Sequence, residues 1–245
     1  MPIKQVLLLI IFYASITGCG IPEEKKVRTR EEYFHDLRVE MVKRDIKGKG
    51  ISDEKVLDAM KKVPRHNFVS GAEIDLAYTD KLLMLRYEQT MIKPYVVALM
   101  AEMLEMSDYD KILIVGVRSG YQAAVMAELC SAVYTIDDRE TIGAAAVIRF
   151  KNLGYYNIKA KFCNLFDGWT ENAPFDAIII NELSPELAEV LFEQLTENGR
   201  MIVPAGSHDG TTRMLSLIRK KNDEAVIEKV ASVSFVRNNG SGINR

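Results

Sequence analysis

From residue 94 onward, short apolar runs alternate with stretches of helical periodicity. KILIV, AVYTID, NIKAKF, FDAIII and GRMIVP read as strands, and GYQAAVMAEL, TIGAAAVIRFKNLG and SPELAEVLFEQL as helices between them. Apolar runs of this length, separated by helices, predict a parallel sheet covered on both faces. TRMLSLIRK and AVIEKVASVSF follow without an intervening helix and predict an antiparallel C-terminal edge. The fold class is therefore α/β, doubly wound and mostly parallel, with ligands expected at the carboxyl ends of the strands near the switch in strand order.

The N-terminal part has a different pattern. Tyr33, Phe34, Leu37, Met41 and Val42 recur at helical spacing from Glu31 to about Lys47, and Gly48 and Gly50 end that run. Ser52 is the expected N-cap of SDEKVLDAMKKV, which stops before Pro64. A less regular region extends to Lys93, and Pro94 opens the helix PYVVALMAEMLEM, where its missing N–H is harmless. The first twenty residues hold the apolar run Val6 to Tyr13 after Lys4, with the proportions of a secretory signal. Ile16-Thr17-Gly18-Cys19 resembles the bacterial lipobox, which implies lipidation at Cys19 and a lipid-anchored protein of the cell envelope, at the outer membrane or the periplasmic face. The expected organisation is a signal peptide over 1–18, a charged tether over 19–30, a helical extension over 31–93, the α/β core over 94–237 and a disordered tail over 238–245.

Composition narrows the choices. Apolar residues make up 48% of the 245 and charged residues 27%, and the net charge is −2, which gives no electrostatic basis for nucleic-acid binding. Apart from Cys19 the cysteines are Cys130, before a strand, and Cys163, at the end of its expected parallel neighbour. That places them roughly 15 Å apart at about 3.3 Å per residue, beyond the reach of a disulfide, so two free, mostly buried thiols are expected. His66 is expected to be a structural hydrogen-bonder, and His35 and His208 have no partner at metal-ligand spacing.

The segment LIVGVRSGYQ, residues 113–122, is a strand running into a glycine-bearing loop and a helix. Together with VPRHNFV (63–69), DLAYTD (75–80), QTMIKPYVVALMAEMLE (89–105), DGW (167–169), PFDAIII (174–180) and VPAG (203–206), in this order and spacing, it resembles the protein-L-isoaspartate O-methyltransferases. The resemblance implies a Rossmann-like fold that binds S-adenosylmethionine, and methyl esterification of isoaspartyl carboxylates in damaged proteins; a monomer is expected. It assigns cofactor contacts to Gly116, Ser119, Gly120, Tyr121, Asp137 (ribose) and Asn164 (adenine).

The chain departs from the family pattern at three places. Ile92 stands where the family has its active-site serine, leaving Thr90 as the nearby hydroxyl. Ile114 replaces a carboxylate and Arg118 a loop glycine, where added bulk is expected to weaken donor binding. Cys163-Asn164-Leu165 replaces Gly-Asp-Gly. Two functions stay open on these residues: methyl transfer with an unusual site, or an envelope-anchored member that binds damaged or unfolded peptides without chemistry. The second draws on the expected address, because S-adenosylmethionine is made and kept in the cytoplasm.

Overall fold

A computed structural model describes residues 28–69, 71–85, 90–182, 184–206 and 212–234. The expected signal, Cys19, His208 and the tail 238–245 lie outside the described residues. A short unit ends at Tyr33, and the compact unit begins at Phe34. No helix among the described residues is long and apolar enough to cross a membrane.

Helix α1 (Arg30–Met41) does not run on as a regular helix to Lys47; it passes into a π-helical turn, Val42–Ile46, and a short 3-10 turn, Lys47–Lys49. Gly50, at φ 103°, ends it in a left-handed conformation that glycine adopts without penalty. Helix α2 (Glu54–Lys62) is capped by Asp53, whose carboxylate accepts from the Lys55 and Val56 N–H groups. Ser52 was the expected cap. Its backbone N–H instead donates to Glu102, as does that of Asp53 (2.7 and 2.9 Å). Two 3-10 turns and the two-stranded ribbon β1 (Leu83–Met84) and β2 (Thr90–Met91) fill the irregular region. Helix α3 (Pro94–Leu104) has Pro94 in its first turn.

The main sheet comprises β3 (Lys111–Val115), β4 (Ala132–Asp137), β5 (Ile158–Phe162), β6 (Phe175–Ile180), β7 (Leu195–Gly206), β8 (Thr212–Lys221) and β9 (Glu224–Ser234). Its order is β5-β4-β3-β6-β7-β8-β9. The first five strands are parallel, and β8 and β9 run antiparallel at the edge. Helices α4 (Tyr121–Ala127), α5 (Glu140–Asn152) and α6 (Pro185–Phe192) make the connections. At the β8–β9 turn Asn222 and Asp223 both have positive φ, which matches the right-handed twist of a tight hairpin.

Alternation along β3 divides the core between the two faces. Ile112 and Ile114 point into a cluster shared with α1 to α5, whereas Leu113 and Val115 point into one built with Leu187 and Leu191 of α6. All four are buried, so β3 is central and covered on both sides. Cys130 is buried before β4 and Cys163 half-buried after β5; both thiols are free. The chain adds β4 and β5 on one side of β3, then crosses to add β6 and β7 on the other. The reversal leaves a crevice at the carboxyl ends of β3 and β6.

Candidate functional site

The loop from β3 to α4 opens this crevice. Gly116 and Gly120 both have φ 83°. A Cβ on Gly116 would lie 2.9 Å from Glu182 Oε1, and one on Gly120 would lie 2.8 Å from the Phe150 ring. The glycines therefore serve both turn geometry and close packing. Gly116 N–H donates to Ile136 O (2.8 Å), tying the loop to the end of β4. Ser119 is buried, and its carbonyl accepts from Arg149 of α5 (2.7 Å). Tyr121, expected among the cofactor contacts, is fully buried; its hydroxyl faces Met60 Sδ (3.6 Å) and its ring carries the Arg65 guanidinium (4.6 Å).

Asp137 ends β4 with 1% exposure. Its Oδ2 accepts from Val117 N–H (3.1 Å), and its Oδ1 from Arg139 N–H and Nε (3.0 and 3.1 Å). A carboxylate has about four acceptor positions, so one remains for a further hydroxyl. Beside it, after β5, lies an open cavity of about 390 Å³ lined by Asp138, Phe162 and the segment from Cys163 to Phe166. Asn164 is part of this wall, and its amide oxygen accepts from Phe166 N–H (3.1 Å), capping a 3-10 turn. Trp169 meets Tyr134 edge-on at 5.2 Å in the α6-side core.

Arg118 has φ 51°, a left-handed conformation that costs a side-chain-bearing residue ~1–2 kcal/mol. Its guanidinium reaches inward across the crevice. Nη1 donates to Thr90 Oγ1 (2.5 Å), and Nη2 donates to Asn181 O (2.6 Å) and faces Glu182 Oε1 at 3.3 Å. One side chain thus ties the loop after β3 to the ribbon strand β2 and to the end of β6. The pocket left behind it, between Thr90, Gln122 and Asn181, holds about 10 Å³, room for no more than one water. Asn181 is 6% exposed; its Nδ2 donates to Gly116 O and Gln122 Oε1, while its Oδ1 has no partner among the described residues. Ile92 is buried beside Thr90, and its carbonyl accepts from Arg65 Nη2 (2.9 Å). His66 Nδ1 lies 2.7 Å from the Tyr78 hydroxyl, a structural contact.

The protein-family model described as Protein-L-isoaspartate(D-aspartate) O-methyltransferase matches residues 37–241. The chain belongs to this family. A protein-L-isoaspartate O-methyltransferase of Dictyoglomus turgidum is 42% identical over 191 residues, covering 78% of this chain and 86% of that one. A solved protein-L-isoaspartate O-methyltransferase has the same fold, with TM-score 0.70 at 25% identity over 86% of this chain and 66% of that one. A Plasmodium falciparum structure holding S-adenosyl-L-homocysteine shares it too, with TM-score 0.66 at 22% identity over 82% of this chain and 95% of that one.

Within the isoaspartyl methyltransferase frame, the structure gathers Gly116, Ser119, Gly120 and Asp137 at one end of the sheet, with Asn164 across the open cavity. It puts Thr90 within reach of the loop through Arg118. Sequence reasoning did not single out Asn181, Glu182 or Gln122. A signal for the first two was present: a polar pair directly after the apolar run FDAIII stands at the carboxyl end of a parallel strand, where such folds place ligand contacts.

Proposed function

We propose that this chain is an S-adenosylmethionine-dependent protein-L-isoaspartate O-methyltransferase that esterifies isoaspartyl carboxylates in damaged proteins. The observation that carries the reading is the family match over 37–241, which spans donor loop, acceptor turn and sheet together. The site residues fit the donor at its adenosine end. Asp137 offers a buried carboxylate with an acceptor position left, and the cavity after β5 is flanked by Phe162 and Phe166. At the other end the orphaned Asn181 Oδ1 calls for an N–H donor, which the methionyl ammonium would supply. The Arg118 side chain lies across that end and must rotate away for the donor to enter fully.

The chemistry the donor supplies when bound is a methyl group already activated on a sulfonium. The chain's own part is then to position and to exclude water rather than to activate a nucleophile. Ile92 has no hydroxyl to orient an acceptor carboxylate. Thr90 does: its oxygen accepts from Arg118, which leaves its O–H to donate. The test is transfer of labelled methyl to an isoaspartyl peptide as a base-labile ester, with the aspartyl peptide as control. Ester on the isoaspartyl peptide alone is expected. Bound donor with no ester would return the chain to the peptide-binding reading.

We also propose that the protein is lipid-anchored in the cell envelope, on the strength of Ile16-Thr17-Gly18-Cys19. More than one acyl chain is needed for stable anchoring, since a single chain at ~0.8 kcal/mol per buried methylene holds only marginally. Cys19→Ser is expected to move the protein from the membrane to the soluble fraction and to abolish labelling by a fatty-acid probe. A protein that stays in the pellet would defeat the proposal.

A further inference from the structure

The donor site carries its own closure. Resting on the reading of this crevice as a donor site, we propose that Arg118 is a latch over the methionine half. By that account the resting protein prefers adenosine-type ligands without a charged methionyl arm to S-adenosylmethionine itself.

Asp137 and the open cavity after β5 locate the adenosine end. From there the rest of a bound donor runs along the loop after β3 toward the strand-order switch, where Asn181 Oδ1 has no partner among the described residues. That stretch is where the Arg118 guanidinium lies. It is held by Thr90 Oγ1, Asn181 O and Glu182 Oε1, groups from two separate elements, and its side chain is 21% exposed. The guanidinium opposes the donor twice, by occupying the space and by setting a cation where the donor brings its sulfonium. An uncharged thioether such as 5′-methylthioadenosine keeps the adenosine contacts and meets neither obstacle. Glu182 pairs with the latch in its closed position, and an arginine side chain has enough rotatable bonds to swing toward solvent when a ligand displaces it.

Calorimetric titration of the full-length protein in detergent, with S-adenosylmethionine and 5′-methylthioadenosine, tests the latch. The thioether is expected to bind at least tenfold more tightly than the sulfonium. Arg118→Gly, which suits the left-handed backbone, is expected to raise S-adenosylmethionine affinity at least tenfold and to change thioether affinity less than threefold. Glu182→Gln keeps the arginine but weakens its hold, and is expected to give a smaller gain; it carries the test if the glycine variant fails to fold. S-adenosylmethionine binding as tight as the thioether's in the parent, with no gain in either variant, overturns the latch. So does loss of isoaspartyl-peptide affinity in Arg118→Gly at constant donor affinity, which would make Arg118 an acceptor contact. The function reading fails separately: a donor-affinity gain with no ester from any chain leaves the latch standing, whereas ester from the parent with no gain removes the latch alone.

Discussion

Arg65 is wholly buried beneath the turn from Thr90 to Lys93, and it stays there because its fork-shaped head meets two carbonyls. Nε donates to Ala77 O (2.8 Å) and Nη2 to Ile92 O (2.9 Å), with the head stacked on Tyr121. A lysine could not reach both acceptors from one point charge. Arg65→Lys is therefore expected to cost about 3 kcal/mol in urea unfolding, the scale of stranding a buried carbonyl together with an imperfectly paired charge. Burial pushes the Arg65 guanidinium down from its ordinary value to about 10 and the Tyr121 hydroxyl up from 10.0 to about 12. Above about pH 10 the unfolded chain holds the Arg65 proton more firmly, so this group makes stability rise with pH. Tyr121 works the other way between pH 10 and 12, since the folded chain keeps its proton longer. The two oppose each other, and Tyr121→Phe is expected to gain stability relative to the parent as pH goes from 10 to 12. A constant difference between the two unfolding curves would refute this.

Elements were legible where one periodicity ran its full length, and less so at their ends. The parallel strands, the hairpin edge and Pro94 in the first turn of α3 follow from patterns contained within each segment. The cap of α2 does not: Ser52 and Asp53 are both good caps, and Glu102, about fifty positions away, takes the N–H groups of both and fixes the start one residue later. Asp53→Ala is expected to cost about 1 kcal/mol, the typical value of a lost cap, and Ser52→Ala much less. Equal losses would mean that Glu102 rather than the cap sets the helix start. The candidate site divides in the same way. The loop glycines, Asp137 and the displaced serine could be read locally, while the inward turn of Arg118 depends on Thr90, Asn181 and Glu182, which only the sheet topology brings to it. At the end of β5, burial raises the Cys163 thiol pKa, and the side chain lines the open cavity. Alkylation of Cys163 is expected to slow when 5′-methylthioadenosine occupies that cavity. Cys130, buried and with its thiol pushed up to about 12, should stay unreactive at pH 8 with or without ligand. Equal Cys163 rates with and without ligand would place the adenosine end elsewhere.

Among the described residues β9 ends the sheet, so the whole molecule presents one long strand edge, with Val226, Ile227 and Val230 exposed on it. An edge of this kind invites pairing with a second copy unless charge prevents it. Here the charge is locked in place. Glu228 Oε1 accepts from Arg219 Nε (2.8 Å) and from Lys221 Nζ (3.0 Å) on the neighbouring strand, and a β-bulge between Leu217 and Ile218 disturbs the register beside it. Those hydrogen bonds, from Arg219 first and Lys221 second, pull the Glu228 carboxyl from 4.5 down to about 2. Its folded pKa lies below the unfolded one, so its contribution is complete above pH 4.5 and is lost as pH falls toward 2. Sedimentation velocity on the full-length protein in detergent should then show a monomer from neutral pH to well below pH 4.5, and self-association appearing only as pH approaches 2, where the folded carboxyl takes up its proton. Glu228→Gln removes the charge without shortening the side chain and should bring that association up to neutral pH. An equal monomer fraction for parent and variant at pH 7 would mean that the bulge, Arg219 and Lys221 guard the edge without Glu228. A parent that already associates at pH 7 would mean that the edge is an interface.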